Sequence, residues 1–196
     1  MQNAAFAAAG LDWEYRLCDV LPEELEDALR EVEYANVTAP YKRDAARLLG
    51  SELPSVNTVV RGSGHSTDTA VLGQVGEWVD AAIVGDGGAA AAFGHALPEA
   101  RVFARRGDWP PEVGDADLVI HATPVRDAVL FELGSGQTLI DLPYPRTATA
   151  EAAAAAGARV LDGLEVLVAQ GAASFELWTG MAAPVGAMRE ALGLRA

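Results

Sequence analysis

VDAAIVGDGGAAAAF, residues 79–93, is the stretch on which the reading of this chain turns. Residues 79–84 form a short apolar run, the composition of a strand buried on both faces. Gly85-Asp86-Gly87-Gly88-Ala89 follows, and then an alanine-rich helix to about Leu97. A glycine turn between strand and helix lets the backbone approach a pyrophosphate, and the helix N-terminus adds N–H donors and a positive dipole end. The same glycines could form only a tight turn, and the Asp86 carboxylate is unfavourable beside a phosphate. About 20 residues on, an NAD site places an acid that binds the ribose 2′-hydroxyl. This chain has Arg105 and Arg106 there, with Arg101 before them, which favours a 2′-phosphate and hence NADP.

Outward from the turn, strands are expected at 101–104, 117–121, 138–142 and 158–161, with a helix at 148–156. Strands alternating with helices imply a parallel sheet covered on both faces. The texture before about Val79 differs. Residues 11–20 (LDWEYRLCDV) alternate and carry aromatics, so they read as a strand, with Cys18 in the core. Pro22 opens a helix with glutamates in its first turns. A short strand is expected at 34–37, a helix at 41–49 and a strand at 55–61. Gly62-Ser63-Gly64 reads as a turn, and 67–78 as a helix. Residues 162–180 and 184–192 read as helices.

Composition narrows the function classes. The chain has 196 residues, 51% of them hydrophobic, and a formal charge of −14. That is ample material for a core, while the acidity argues against nucleic-acid and polybasic membrane binding. A single cysteine fits a reducing cytosol and a cytoplasmic location. The start lacks the layout of a signal peptide, and no apolar run approaches the ~18 residues of a membrane span. His65, His95 and His121 are scattered, which predicts no metal site.

In the order of the chain, a set of motifs resembles the shikimate dehydrogenase family. Asn36-Val37-Thr38-Ala39-Pro40-Tyr41-Lys42 is similar to its Asn-Val-Thr-x-Pro-x-Lys segment, Val56-Asn57-Thr58-Val59 to its Val-Asn-Thr strand, and Ser66-Thr67-Asp68 to its Asn-Thr-Asp. Gly85 to Ala89 resembles its Gly-Ala-Gly-Gly-Ala turn. Ala104-Arg105-Arg106 resembles its Asn-Arg-Thr clamp, His121-Ala122-Thr123-Pro124 its Asn-Ala-Thr-Pro, and Asp141-Leu142-Pro143-Tyr144 its Asp-x-x-Tyr. Asp162-Gly163-Leu164, Leu167-Val168-Ala169-Gln170 and Phe175-Glu176-Leu177-Trp178-Thr179-Gly180 are similar to its C-terminal signature.

The resemblance implies an α/β fold of two domains. An N-terminal α/β substrate domain, residues 1–68, is completed by the C-terminal helices, 164–196. A Rossmann-like NADP-binding domain spans 69–163. The implied activity is NADP-dependent interconversion of 3-dehydroshikimate and shikimate in aromatic amino-acid biosynthesis, by a monomer or homodimer acting on a small molecule. Lys42 and Asp68 are the implied catalytic pair: a cation stabilises charge on the carbonyl oxygen, and a carboxylate orients it. Asn57, Thr58, Tyr144 and Gln170 are implied to hold substrate. Gly85, Gly87, Gly88, Ala89, Arg105, Arg106, Thr123 and Gly163 are implied to hold the cofactor.

Departures keep other readings open. The match starts at Met1-Gln2-Asn3-Ala4-Ala5-Phe6, inside the family's first helix, so the preceding strand and its Ser-x-Ser-Pro carboxylate clamp are not in this sequence. Either the natural start lies upstream, or the lineage has been pared down. Ser66 replaces a family Asn, and Glu165-Val166 stands where a Gly-Met pair lines the nicotinamide pocket. Action on quinate or an aminoshikimate, and a non-catalytic ligand-binding role, are the alternatives. His121 stands at a family Asn position, where a hydrogen-bonding or structural role is expected.

Overall fold

The parallel sheet expected around the glycine turn is present in the computed structural model, which describes residues 1–195. The chain divides into two compact units, residues 1–70 with 167–196, and residues 71–166.

The second unit contains β4 (Ala81–Val84), α4 (Gly88–Ala96), β5 (Arg101–Phe103), β6 (Leu118–His121), β7 (Thr138–Asp141), α5 (Ala148–Ala155) and β8 (Arg159–Leu161). Its five strands are all parallel and run in the order β5-β4-β6-β7-β8. The order reverses after β4, so β4 and β6 are neighbours whose carboxyl ends diverge into different connections, the place where open α/β sheets hold ligands. Every residue of β4 and β6 is buried, which explains their unbroken apolar runs. On one face, Ala82, Val84, Val119 and Leu139 pack with Phe103, Phe131 and the α5 alanines Ala150 and Ala153. Alanine brings α5 close to the sheet at little side-chain entropy cost.

The first unit holds α1 (Gln2–Ala8), α2 (Leu25–Glu31), β1 (Tyr34–Asn36), α3 (Lys42–Leu48), β2 (Thr58–Val60), β3 (Ser63–His65) and α7 (Val185–Glu190). The long α6 (Gly163–Thr179) enters it at Leu167. Its sheet is antiparallel, in the order β1-β2-β3. Leu25, Leu29, Val37, Ala45, Val56 and Val59 form one core, and Phe6, Phe175, Trp178 and Met188 another. Trp178 also donates its indole N–H to the Val59 carbonyl at 3.1 Å, which ties α6 to β2.

Several expectations fail. Residues 11–20 form no strand: β1 pairs only with β2, and no other described strand lies beside this segment. Alternation needs a ladder partner to become a strand. Side chains hold the segment instead: Asn3 accepts from Tyr15 N at 2.6 Å and donates to Tyr15 O at 3.1 Å, and Trp13 stacks on Tyr34. Cys18 is therefore exposed rather than in the core. Only Ala70–Gln74 is helical within 67–78, as a 3₁₀ turn; Gly73 and Gly76 each cost a helix ~1 kcal/mol. The turn expected at 62–64 is a two-residue hairpin loop, because Val60 pairs with Ser63. Arg61 (φ 46°) and Gly62 (φ 80°) both take the left-handed conformation that such loops demand. Among the described residues, no helix is long and apolar enough to cross a membrane.

Candidate active site

In the first unit the motif residues converge on one charge pair. Lys42 opens α3, and its Nζ donates to Asp68 Oδ1 at 2.7 Å and Oδ2 at 2.8 Å. The side chains are only 15% and 5% exposed. A cation at the first turn of a helix opposes the helix dipole, by about 0.3–1 kcal/mol at a surface. Asp68 offsets that opposition. The ammonium has three N–H groups and spends two on the carboxylate, which leaves one to donate to a ligand.

The β2–β3 hairpin supplies the frame. Asn57 N donates to His65 O at 3.0 Å, which sets residues 57 and 58 beside 67 and 68. Asn57 Nδ2 then donates to Asp68 Oδ1 and Thr67 Oγ1, each at 3.0 Å, and Asn57 Oδ1 accepts from Thr67 N at 2.7 Å. Asn57 Nδ2 also lies 3.4 Å from Gln170 Oε1 on α6. Thr58 Oγ1 shares one hydrogen bond with Ser174 Oγ, one turn beyond Gln170, at 2.9 Å. Of the residues implied as a substrate site, Lys42, Asp68, Asn57, Thr58 and Gln170 are thus brought together. Tyr144 belongs to the second unit, where its ring is exposed.

Three polar residues of this cluster escaped the reading of the sequence as site residues. Thr67 and Ser174 are buried and hydrogen-bonded within it. Asn36 donates through Nδ2 to Asn57 O, Thr58 Oγ1 and Ser174 Oγ at 2.9–3.1 Å. Ser174 had a usable signal, since i and i+4 share a helix face and Gln170 was already singled out.

In the second unit the glycine turn lies at the carboxyl end of β4. Gly85 has φ 138°, and a Cβ there would stand 2.6 Å from the Ala122 carbonyl, so only glycine fits. A Cβ on Gly87, the residue capping α4, would meet nothing within 4 Å, so the turn is open on that side. That opening, with the N–H groups of the nine-residue α4 behind it, suits a pyrophosphate. Arg105 and Arg106 follow β5 and are exposed, with the Arg105 guanidinium 5.6 Å above the Trp109 ring. Such an arginine pair beside the turn suits a 2′-phosphate. Gly163 has a packing explanation of its own: a Cβ there would lie 2.4 Å from the Pro143 carbonyl. Thr123 follows β6, its hydroxyl 2.7 Å from His121 Nε2, and His121 is fully buried and hydrogen-bonded.

Comparison with known proteins bears on what this arrangement is for. The family description "Shikimate dehydrogenase substrate binding domain" matches residues 1–59, and "Shikimate 5'-dehydrogenase C-terminal domain" matches residues 163–192. A shikimate dehydrogenase (NADP(+)) of Anaeromyxobacter dehalogenans is 33% identical over 251 aligned residues, covering 100% of this chain and 90% of the relative. The enzyme of that name from Pyrobaculum islandicum is 33% identical, over 92% of this chain and 86% of its own. Among solved structures, shikimate 5-dehydrogenase from Thermus thermophilus, in complex with NADP(H) and shikimate, superposes with a TM-score of 0.82. It is 27% identical, over 97% of this chain and 91% of that one.

Proposed function

This chain belongs to the shikimate dehydrogenase family, and from that premise we propose that it interconverts 3-dehydroshikimate and shikimate with NADP(H). The observation that carries the reading is the Lys42–Asp68 pair, buried, bidentate and braced by Asn57. A ligand-binding protein needs a polar pocket, whereas a charged pair with one unspent ammonium N–H is suited to proton transfer.

When bound, the cofactor supplies the hydride that reduces the ring ketone, or accepts it in reverse. Lys42 then donates its free N–H to the carbonyl oxygen and stabilises the negative charge that develops there. In the reducing direction the developing alkoxide takes its proton from this position. Asp68 holds the ammonium in place, and Asn57 holds Asp68. Asn57, Thr58 and Gln170 offer both donors and acceptors, the chemistry suited to ring hydroxyls. Gly85, Gly87, Gly88, Ala89 and the α4 N-terminus would cradle the pyrophosphate, Arg105 and Arg106 the 2′-phosphate, and Thr123 and Gly163 would belong to the same cofactor site. Tyr144 completes the set assigned to substrate. In this reading, residues 1–68 and 164–196 are the substrate domain and 69–163 the cofactor domain. The enzyme works as a monomer or homodimer in the cytoplasm, a reducing compartment to which a single, unpaired cysteine is suited.

The test is direct. Shikimate with NADP⁺ should generate the absorbance of reduced nicotinamide, and Lys42→Ala should remove nearly all of it while the protein stays folded. Turnover unaffected by Lys42→Ala would overturn the assignment, as would a folded parent inert toward shikimate.

A further inference from the structure

His121 and Asp141, in a buried chain of hydrogen bonds at the carboxyl ends of β6 and β7, have no part in the chemistry described above. His121, the last residue of β6, and Asp141, the last of β7, are neighbours in register, and both are fully buried. His121 Nδ1 lies 2.7 Å from Asp141 Oδ1, and His121 Nε2 lies 2.7 Å from Thr123 Oγ1. The tautomer with its proton on Nδ1 matches this arrangement, since it donates to the Asp141 carboxyl and leaves Nε2 to accept the Thr123 hydroxyl proton. Asp141 is fixed from its other side: Thr147 donates to it through N at 3.1 Å and through Oγ1 at 3.0 Å. Thr147 is the N-cap of α5 and accepts from Ala150 N at 3.1 Å. The Phe131 ring packs nearly perpendicular to the imidazole, with ring centroids 5.9 Å apart.

The chain of hydrogen bonds ends at Thr123, a partly exposed residue. Thr123 Oγ1 shares a hydrogen bond with His121 Nε2 at 2.7 Å and accepts from Val125 N at 3.2 Å. These two bonds tie the Thr123-Pro124-Val125 loop to the end of β6. The loop also abuts the glycine turn. Ala122, between His121 and Thr123, donates its N–H to Val84 O at 2.8 Å, and its carbonyl is the atom that excludes a Cβ at Gly85. The floor of the β4–α4 turn is therefore the β6 exit, held by His121.

We infer that His121 and Asp141 are positioning residues for the dinucleotide: acting through Thr123 and Ala122, they set the loop and the floor against which the glycine turn meets its ligand. The inference rests on the proposed NADP(H) role of this turn, and adds two residues that need not touch the cofactor. Metal sites give the scale for such outer partners, where losing one costs about 10- to 100-fold in affinity.

The experiment uses the full chain and titrates NADPH directly, by fluorescence, before any turnover is measured. His121→Leu should weaken NADPH binding about tenfold. Thr123→Val, which leaves the His121–Asp141 pair intact and changes a partly exposed residue, should do the same. Thr123→Ser, which restores the hydroxyl, should recover most of the loss. In turnover, KM for NADP⁺ should rise about tenfold in both variants while KM for shikimate stays within about twofold. A purely structural role would lower the melting temperature and the active fraction but leave the cofactor KM unchanged. NADPH affinity in Thr123→Val within twofold of the parent would overturn the inference, whether or not His121→Leu folds. A parent that does not bind NADPH would overturn the cofactor reading and the inference together. A parent that binds it tightly but ignores shikimate would sink only the substrate assignment.

Discussion

Asp68→Asn keeps the shape of the Lys42–Asp68 cluster and removes one charge, which makes it the sharpest probe of the proposed site. In the parent, the Lys42 side chain is 15% exposed and its ammonium takes both Asp68 oxygens at 2.7 and 2.8 Å. Breaking a buried pair by removing one partner costs ~3–5 kcal/mol, because the other charge is left uncompensated. The residual exposure of Lys42, and the one amide oxygen that can still accept from it, reduce this toward ~2–3 kcal/mol. The helix dipole at the start of α3 adds a few tenths, because it opposes an unneutralised cation there. At 2–4 °C per kcal/mol for a chain of this size, the melting temperature should fall by ~4–12 °C. Lys42→Met strands the carboxylate instead and should cost a similar amount. The double variant should recover most of the loss, since it leaves no uncompensated charge in the buried site. Melting curves of the four proteins give a coupling of ~2 kcal/mol or more. Turnover should behave differently: each single variant and the double should lose ~100-fold or more to a similar extent, because residues that act as a unit are not additive. Single variants within ~0.5 kcal/mol of the parent that simply add would refute the reasoning, as would a double variant that regains activity.

The two glycines of the turn should separate stability from binding. Gly85→Ala places a methyl 2.6 Å from the Ala122 carbonyl at φ 138°, so it should cost ~2–3 kcal/mol in a denaturant titration. Gly87→Ala, at φ −74° and in open space, should leave stability within ~0.5 kcal/mol but weaken NADPH binding in a fluorescence titration, because its methyl would fill the open side of the turn proposed to hold the phosphates. Replacing both Arg105 and Arg106 with Gln should raise KM for NADP⁺ by ~10- to 100-fold and leave that for NAD⁺ unchanged; equal use of both cofactors by the parent would contradict the clamp. Asp117 accepts from Val79 N and Asp80 N at 2.9 and 3.0 Å, and these N–H groups hold its carboxyl below the usual range. Its contribution is therefore present above the ordinary carboxylate pKa and lost as pH falls through the depressed one, so Asp117→Asn should flatten the acid side of a stability–pH curve.

Much of this architecture lies in nearest-neighbour chemistry. The buried runs of β4 and β6, the glycine turn and the alanine helices are legible because each depends on residues within one turn or one strand of itself. Residues 11–20 show where such reading stops: their alternation is real, but a strand exists only if a second strand offers its backbone, and none of the described strands does. Cys18 went to the surface with that segment. The loop at Arg61 was missed because a non-glycine residue at positive φ carries no local signature; the pairing of Val60 with Ser63 imposes it.

By itself, then, the sequence determined a parallel α/β half with a glycine turn, a basic pair after the next strand, and the residue types the chemistry requires, named through their motifs. Only the tertiary structure decided which of them meet. Lys42 and Asp68 are 26 positions apart, Asn57 and Gln170 are 113, and Asn36 and Ser174 are 138. Hydrogen bonds over such separations follow from hairpin register and from which face of α6 turns inward. Those are fixed by the burial of Val59, Phe175 and Trp178, whose packing no local window of sequence contains.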